Sequence, residues 1–398
     1  MKTSPLEVWL WLLLVMQPDN PKTAQILSQY GGDATRASIA IRDENLLILS
    51  ANEKKRAAET RNGAIMRVLK ICEENEIRII TLDSEEYPPL LRKIENPPIV
   101  LFVKGSLAGL ENQLVVSAVG TKNPSEYSIF AAESLIGTLS KIGAVIVSGI
   151  AEGLDSEVHK ACIKAKGRSI AVLPCGILAD YPKGSAEFKR KIVENGGAVV
   201  SELLPYTKAS MGYFYQRNRI ISGMSLGTIV IQASDKSGSL VTARCAFSQG
   251  REVFYIPPHD IFSKEYAGAA ILDKQGASPV FECADVARKL LKGNGAEAVV
   301  SQKILEFEAQ KQQLKLPKNE EEAKPKAGNP AKKPEVPDNL SAEEKTIAEI
   351  IAKAPVDIDA LIDQSGLDYE TAVGALTILE LSGVIERKMD GNYVLSDE

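Results

Sequence analysis

The chain is poor in the residues that build metal and disulfide sites. Only two histidines, His159 and His259, occur in 398 residues, and the five cysteines are scattered along the sequence. No two of those cysteines have the close spacing that is typical of zinc ligands. The composition therefore predicts no metal, no cofactor held by cysteine or histidine and no disulfide framework, and it favours reduced thiols in a cytoplasmic protein.

Long hydrophobic runs are also missing. The most apolar stretch, residues 6–16, is shorter than the roughly 20 residues that a membrane-spanning helix needs. Only Lys2 precedes it, and no small-residue cleavage site of a signal peptide follows it. We expect this stretch to form a buried helix, and we expect no membrane association.

The usual nucleotide-binding motifs do not occur. Gly149 and Gly153 are spaced G-x-x-x-G, without the first glycine of the dinucleotide fingerprint G-x-G-x-x-G. No G-x-x-x-x-G-K-[ST] run is present, which excludes a P-loop nucleoside triphosphatase. The sequence thus disfavours a standard nucleotide cofactor.

Charge is unevenly distributed along the chain. The net charge is −5, but residues 339–398 carry 13 acidic and four basic side chains, which leaves +4 for residues 1–338. One predicted helix of this acidic segment, Tyr369–Ser382, is at the position of the DNA-recognition helix of winged-helix proteins. It contains Glu370 and Glu380 and no basic residue. A protein that recognises duplex DNA needs basic side chains on that helix, so residues 339–398 are predicted to contact a protein.

The hydrophobic pattern divides the chain into four parts. Residues 1–75 have helical periodicity and predict a small helical (SAM-like) domain. Residues 76–292 alternate short apolar runs with helix-length segments, which predicts an α/β, Rossmann-like, doubly wound and mostly parallel sheet. Residues 293–338 include a stretch rich in proline and lysine and predict a flexible linker. Residues 339–398 predict three helices and a hairpin, the pattern of a winged-helix domain.

Several predicted strands are followed by small polar residues and then a helix. Ligands of an open parallel sheet bind beyond the carboxyl ends of its strands, where such loops expose backbone N–H groups to anions. The sequence therefore predicts a phosphate site at this edge. The candidate residues in these loops are Gly120, Thr121 and Lys122, then Ser148, Gly149 and Gly153, and finally Ser237, Gly238, Ser239 and Thr242.

One further segment combines aromatic and basic residues. Phe214 and Tyr215 precede Arg217, Asn218 and Arg219. Arginine binds phosphates bidentately, and aromatic rings stack on unpaired bases. The segment is predicted to contribute Phe214, Arg217, Asn218 and Arg219 to a single-stranded nucleic-acid site. Each arginine could instead make a structural salt bridge.

Asp155 and His159 are four residues apart and could form a catalytic dyad. We favour a structural interpretation, in which Asp155 caps a helix and His159 packs beside it.

These motifs together resemble the DNA-processing protein A family (DprA, also called Smf). The resemblance rests on 119–122, 148–155 with His159, 176–182, Ser201-Glu202, 217–223, 237–243 and 250–254, and it runs in order from about residue 83 to 256. It implies a Rossmann-like domain that binds single-stranded DNA without sequence preference, forms homodimers and loads the RecA recombinase in natural transformation, without catalysis. Lys122 and Glu152 replace arginines usual in the family, which predicts a weaker DNA contact.

Two alternatives use the same loops for a small ligand. The first is a nucleotide-ribose hydrolase similar to the lysine-decarboxylase-like (LOG) family, whose chemistry needs a carboxylate close to the ribose. The comparable segment here, 237–251, has no Asp or Glu, which disfavours an enzyme. The second is a sensor of a small nucleotide, and the sequence leaves it open.

Overall fold

The structure is a computed structural model that describes residues 4–43, 46–291, 340–382, 384–387 and 392–395. The described residues form two compact units, one before the predicted linker and one after it. Each unit has its own hydrophobic core. The predicted linker and the predicted turn at Asp390-Gly391 lie outside the described residues.

The first unit begins with five helices, as the periodicity predicts. They are α1 (Pro5–Met16), α2 (Pro21–Gln29), α3 (Ala34–Arg42), α4 (Ala51–Glu59) and α5 (Asn62–Glu74). Side chains of Ser4, Asn20, Asp33 and Ser50 cap the first four of them at the N-terminus. The apolar stretch 6–16 is a buried helix. Within the described residues, none of the helices combines the length and apolar character needed to cross a membrane.

A nine-stranded sheet follows. Its strands are β1 (Arg78–Thr81), β2 (Val100–Gly105), β3 (Val115–Val119), β4 (Val145–Ser148), β5 (Ser169–Val172), β6 (Ala198–Ser201), β7 (Gly227–Val230), β8 (Glu252–Tyr255) and β9 (Ser278–Pro279). Their order is β1-β2-β6-β5-β4-β3-β7-β8-β9. Strands β3 to β9 pair in parallel, whereas β1 and β2 form an antiparallel edge on β6. The predicted α/β, mostly parallel fold is confirmed.

Helices cover both faces of this sheet. They are α6 (Pro89–Arg92), α7 (Glu126–Lys141), α8 (Leu154–Lys164), α9 (Ala186–Glu194), α10 (Met211–Gly223), α11 (Ser239–Ser248), α12 (Ala267–Lys274) and α13 (Cys283–Leu291). Alternate residues of β3 face opposite layers: Val115 and Val119 belong to one core cluster, and Val116 and Ala118 belong to another. Burial on both faces explains why the strands read as continuous apolar runs.

The five N-terminal helices share a core with the sheet. Leu10 and Trp11 of α1 lie in one buried cluster with three residues of the sheet region. These are Phe102 of β2, Val199 of β6 and Leu173, which directly follows β5. The boundary expected near residue 75 therefore crosses a continuous hydrophobic core.

The second unit contains α14 (Ala342–Ile351), α15 (Ile358–Ser365), α16 (Tyr369–Leu381) and the antiparallel strands β10 (Ile385–Arg387) and β11 (Tyr393–Leu395). Ser341 and Glu344 form a reciprocal capping box at the start of α14. Three helices followed by a hairpin confirm the predicted winged-helix fold.

The shared core predicts that the N-terminal helices unfold together with the sheet. Trp9 and Trp11, the only tryptophans, lie in α1 and are each 2% exposed, so tryptophan fluorescence reports on this helix. Leu173→Ala removes a buried side chain on the sheet side of that core and should cost about 2–5 kcal/mol. We expect the urea midpoint measured by tryptophan fluorescence to fall.

Leu361→Ala deletes the same side chain from the separate core of the second unit and is the matched control. Its tryptophan midpoint should equal that of the wild type. A Leu173→Ala midpoint that moves by circular dichroism but not by fluorescence would show that the helices unfold independently.

Candidate functional site

The sheet order creates one topological switch point. The chain leaves β3 toward β4 on one side, and β7 pairs with β3 on the other. Loops that leave neighbouring strands toward opposite faces open a crevice at the carboxyl edge of the sheet. The loops after β3 and β7 therefore meet at the place where ligands bind in open α/β folds.

A cavity of about 310 Å³, which we call the switch-point cavity, lies in this crevice. Ten of the fourteen predicted site residues line it, namely Gly120, Thr121, Lys122, Phe214, Arg217, Asn218, Ser237, Gly238, Ser239 and Thr242. Asp155, Met211, Tyr215 and Ser234 are among the other lining residues. The structure thus brings together residues from four separate segments of the chain.

Backbone hydrogen bonds hold the loop after β3 in place. The Thr121 N–H donates to the Gln232 carbonyl at 3.0 Å, and the Leu154 N–H donates to the Thr121 carbonyl at 3.1 Å. A Cβ at Gly120 would lie 2.2 Å from Leu154 Cδ1, so only glycine allows this close approach. The loop is fixed by its neighbours before any ligand binds.

The N-terminus of α11 opens into the cavity. Gly238 is the N-cap residue and provides no side chain, and the first turn contains no acidic residue. The hydroxyls of Ser237 and Ser239 are 2.7 Å apart, and Thr242 lies one turn further along. The helix dipole and the hydroxyl donors make this end of the cavity suitable for an anion.

A cation and an aromatic ring lie together at the rim. Lys122 Nζ lies over the Phe214 ring, 5.3 Å from its centroid, and Tyr181 packs edge-on against the same ring at 5.3 Å. Met211 and Tyr215 are 68% and 51% exposed. The rim therefore offers one ammonium group and an exposed apolar surface of the kind on which unpaired bases stack.

Arg217 and Asp155 form a buried ion pair beneath the cavity. Arg217 Nη2 donates to Asp155 Oδ2 at 3.3 Å, Nη1 donates to the Val172 carbonyl at 2.7 Å and Nε donates to Asn218 Oδ1 at 3.1 Å. The two side chains are 7% and 8% exposed. Burial raises the pKa of Asp155, although Arg217 opposes this shift. Arg217 thus holds the cavity wall together.

Three more of the predicted site residues, Ser148, Gly149 and Gly153, lie at the end of β4 and in the loop that follows it. Ser148 is fully buried and donates its hydroxyl to the Ala118 carbonyl at 2.6 Å. A Cβ at Gly149 would lie 2.0 Å from Asp155 Oδ2 and 2.1 Å from Arg217 Nη1. Gly153 has φ +84° and is the N-cap residue of α8. Gly153 therefore occupies the N-cap position that was predicted for Asp155.

Arg219 does not line the switch-point cavity, unlike the other three residues predicted from its segment. Its Nε donates to Asp19 Oδ1 at 2.7 Å, and its Nη2 donates to Glu202 Oε2 at 2.6 Å. Two residues along a helix turn a side chain by about 200°, so Arg217 and Arg219 point to opposite sides of α10. Arg219 instead joins the loop after α1 to the sheet.

Six residues that line the cavity lie outside the predicted set: Val119, Ala151, Asp155, Met211, Tyr215 and Ser234. Met211 and Tyr215 could have been found from helical spacing. Met211, Phe214, Tyr215 and Asn218 recur at i, i+3, i+4 and i+7, which places them on one face of α10. Ser234 lies in an irregular loop and gives no periodic signal.

His159 is buried beside this region and predicts a pH dependence of stability. Its Nε2 donates to the Gly149 carbonyl at 2.9 Å, and burial lowers its pKa to about 4. Between about pH 6.5 and 4 the unfolded chain binds a proton that the folded chain does not, so the free energy of unfolding falls as the pH falls. This loss should reach about 2 kcal/mol between pH 7 and pH 5.

His159→Gln keeps a donor for Gly149 but has no titratable group. We expect the free-energy difference between wild type and His159→Gln, measured by urea unfolding, to shrink by about 2 kcal/mol from pH 7 to pH 5. Exposed carboxylates titrate equally in both proteins, so their contributions cancel in this free-energy difference. A difference that stays constant with pH would show that His159 does not titrate in this way.

Comparison with known proteins places this arrangement in a family. Residues 78–291 match the family model described as DNA recombination-mediator protein A, and residues 331–391 match the DprA winged helix domain. The chain is 40% identical over 228 residues to the DNA processing protein DprA of Bacillus subtilis, covering 57% of this chain and 76% of that protein. It is 36% identical over 297 residues to Protein Smf of Escherichia coli, covering 72% and 75%.

A solved structure supports the same assignment. The X-ray structure of DNA processing protein A from Streptococcus pneumoniae superposes with a TM-score of 0.62 at 28% identity, covering 72% of this chain and 98% of that one. These matches confirm the resemblance that the motifs indicated. The chain belongs to the DNA recombination-mediator protein A family.

Proposed function

We propose that the chain binds single-stranded DNA without sequence preference, with a backbone phosphate in the switch-point cavity. The observation that carries this proposal is the meeting of a helix N-terminus, Lys122 and Phe214 in that cavity. The first two favour a phosphate, and the aromatic ring favours a base that has left its duplex partner. The family membership supports a role in DNA processing.

The strand follows the carboxyl edge of the sheet in this proposal. One phosphate contacts the N-terminus of α11 through Ser237, Gly238 and Ser239. Lys122 neutralises a second phosphate, and the bases between them stack on Phe214 and Tyr215. Stacking is indifferent to base identity because every base has an aromatic face, which accounts for binding without sequence preference.

We propose binding without catalysis. Asp155 carries the only carboxylate among the described residues that line the cavity, and this carboxylate forms an ion pair with Arg217. Helix α11 carries no acidic residue. A hydrolase that activates water next to a ribose needs a free carboxylate at that position. The arrangement of this cavity therefore does not favour a hydrolase. The cavity volume also suits a mononucleotide, so a nucleotide sensor is the second candidate.

We further propose that the protein acts in the cytoplasm as a homodimer that loads RecA onto strands taken up in natural transformation. The support is the family membership and the motifs from which the resemblance was drawn. The winged-helix unit is strongly acidic in sequence and exposes Glu380 on α16. Like charge disfavours duplex DNA, so we propose a protein partner for this unit.

Fluorescence anisotropy with a labelled dT oligonucleotide tests the strand-binding proposal. With the two phosphates of this proposal neutralised, the plot of log affinity against log salt should have a slope of roughly −1.4. Lys122→Ala should make the slope shallower by about 0.7. Phe214→Leu should weaken binding by about 1–3 kcal/mol with little change in slope, because stacking releases no counterion.

Lys141→Ala on the exposed end of α7 and Phe130→Leu, whose ring is 70% exposed, are matched controls that should bind like the wild type. Duplex DNA and a mononucleotide should compete poorly. Ready displacement by the mononucleotide would replace strand binding with the sensor function, and equal binding by Lys122→Ala and Phe214→Leu would remove both from the site.

The finer proposals predict two solution properties. Light scattering after size exclusion should give a mass near twice 43.0 kDa. Addition of the protein should shorten the lag of RecA ATP hydrolysis on the dT strand, and the Phe214→Leu variant should shorten it less. A monomeric mass, or a lag that the wild type leaves unchanged, would contradict the homodimer or RecA loading respectively.

A further inference from the structure

A second and larger cavity lies away from the switch point. It has a volume of about 680 Å³ and is bounded by α9, the end of β2, β6 and the loop that follows β5. We call it the aliphatic cavity, because Ile177, Val193 and Val199 form its floor. In the described part of the chain, no residue lines both cavities. Its volume is in the range of cavities that bind small organic molecules.

Two lysines line the aliphatic cavity without a carboxylate partner. Lys104 at the end of β2 and Lys189 on α9 both lie at its wall, and neither forms a salt bridge with any residue that the structure describes. The nearby Arg190 differs, because it pairs with Glu187 and with Glu194, each at 2.6 Å. The ammonium groups of Lys104 and Lys189 are therefore the cations of this cavity that no carboxylate of the described residues neutralises.

Lys189 is held in position by the protein itself. Its Nζ donates to the Ala179 carbonyl at 3.0 Å, which uses one of the three donors of an ammonium group. Burial lowers the pKa of Lys189, and Cys175 and Asp180 only partly offset that shift. An anion next to Lys189 would relieve this cost, since opposite charge stabilises the protonated amine.

The carboxylates that line the cavity belong to exposed residues, Glu76 and Asp180. Asp180 Oδ1 accepts the Gly184 N–H at 2.8 Å, and its charge offsets only part of the lowering of the Lys189 pKa. Water screens exposed charges far more than it screens half-buried ones. The interior of the cavity therefore favours negative charge next to an apolar surface.

We propose that the aliphatic cavity binds a small anionic amphiphile, a carboxylate on an aliphatic chain, with its head between Lys104 and Lys189 and its chain along Ile177, Val193 and Val199. This site is independent of the strand-binding proposal. A cation would meet two ammonium groups there, and a fully polar anion would leave the aliphatic floor unused.

Isothermal titration calorimetry with decanoate, below its micelle concentration, tests this site on the full chain. Decanoate should bind at least tenfold more tightly than decyltrimethylammonium, and also at least tenfold more tightly than acetate. Lys104→Met combined with Lys189→Met should weaken decanoate binding at least tenfold. Lys191→Met on the exposed side of the same helix is the matched control and should bind decanoate like the wild type.

The folding of the double variant is checked by its tryptophan unfolding midpoint. If the double variant is unfolded, Lys104→Met alone decides, because Lys104 is only half-buried and makes no salt bridge to lose; it should weaken decanoate binding at least threefold. Absence of decanoate binding, equal binding of the cationic analogue or an unchanged affinity in the folded lysine variants would each overturn the proposal.

Discussion

The buried ion pair between Arg217 and Asp155 is the interaction on which the candidate site depends. It joins three segments, because Arg217 lies on α10, Asp155 begins α8 and the Val172 carbonyl that Arg217 also contacts ends β5. Removing one partner of a buried pair leaves an unpaired charge and typically costs about 3–5 kcal/mol. The pair therefore acts as a structural joint in the wall of the cavity. We propose that phosphate recognition depends on Lys122 and the N-terminus of α11.

This joint also explains why the loop after β4 contains glycine. The guanidinium and carboxylate occupy the space that a side chain at position 149 would need, so the backbone at Gly149 has to pass directly over them. The same loop supplies the carbonyl that His159 contacts. Glycine at a strand end is often interpreted as a phosphate-binding residue. Here one glycine accommodates a buried ion pair, while Gly238 at the start of α11 leaves a helix end open.

The helices and strands of this molecule could be predicted from the sequence, whereas strand pairing and side-chain contacts with residues far along the chain could not. Apolar runs of four or five residues located β3 to β8, because burial on both faces forces such composition. The antiparallel edge of β1 and β2 was not foreseen, since pairing direction leaves no local pattern. Arg217 and Arg219 were grouped by proximity in sequence, whereas helical geometry separates them. Asp19, the partner that claims Arg219, lies 200 residues away, and no local pattern reveals it.

An acidic protein with few free cations at its site can still bind a polyanion if a helix dipole and neutral hydrogen-bond donors supply most of the favourable interaction with the phosphates. The N-terminus of α11 presents the hydroxyls of Ser237 and Ser239 and the positive end of a helix dipole, and these groups carry no net charge. Stacking on Phe214 contributes without any charge at all. In the proposed function such a site holds a strand through geometry more than through long-range attraction. We propose that it selects single strands over duplex DNA, because the bases of a duplex are not free to stack.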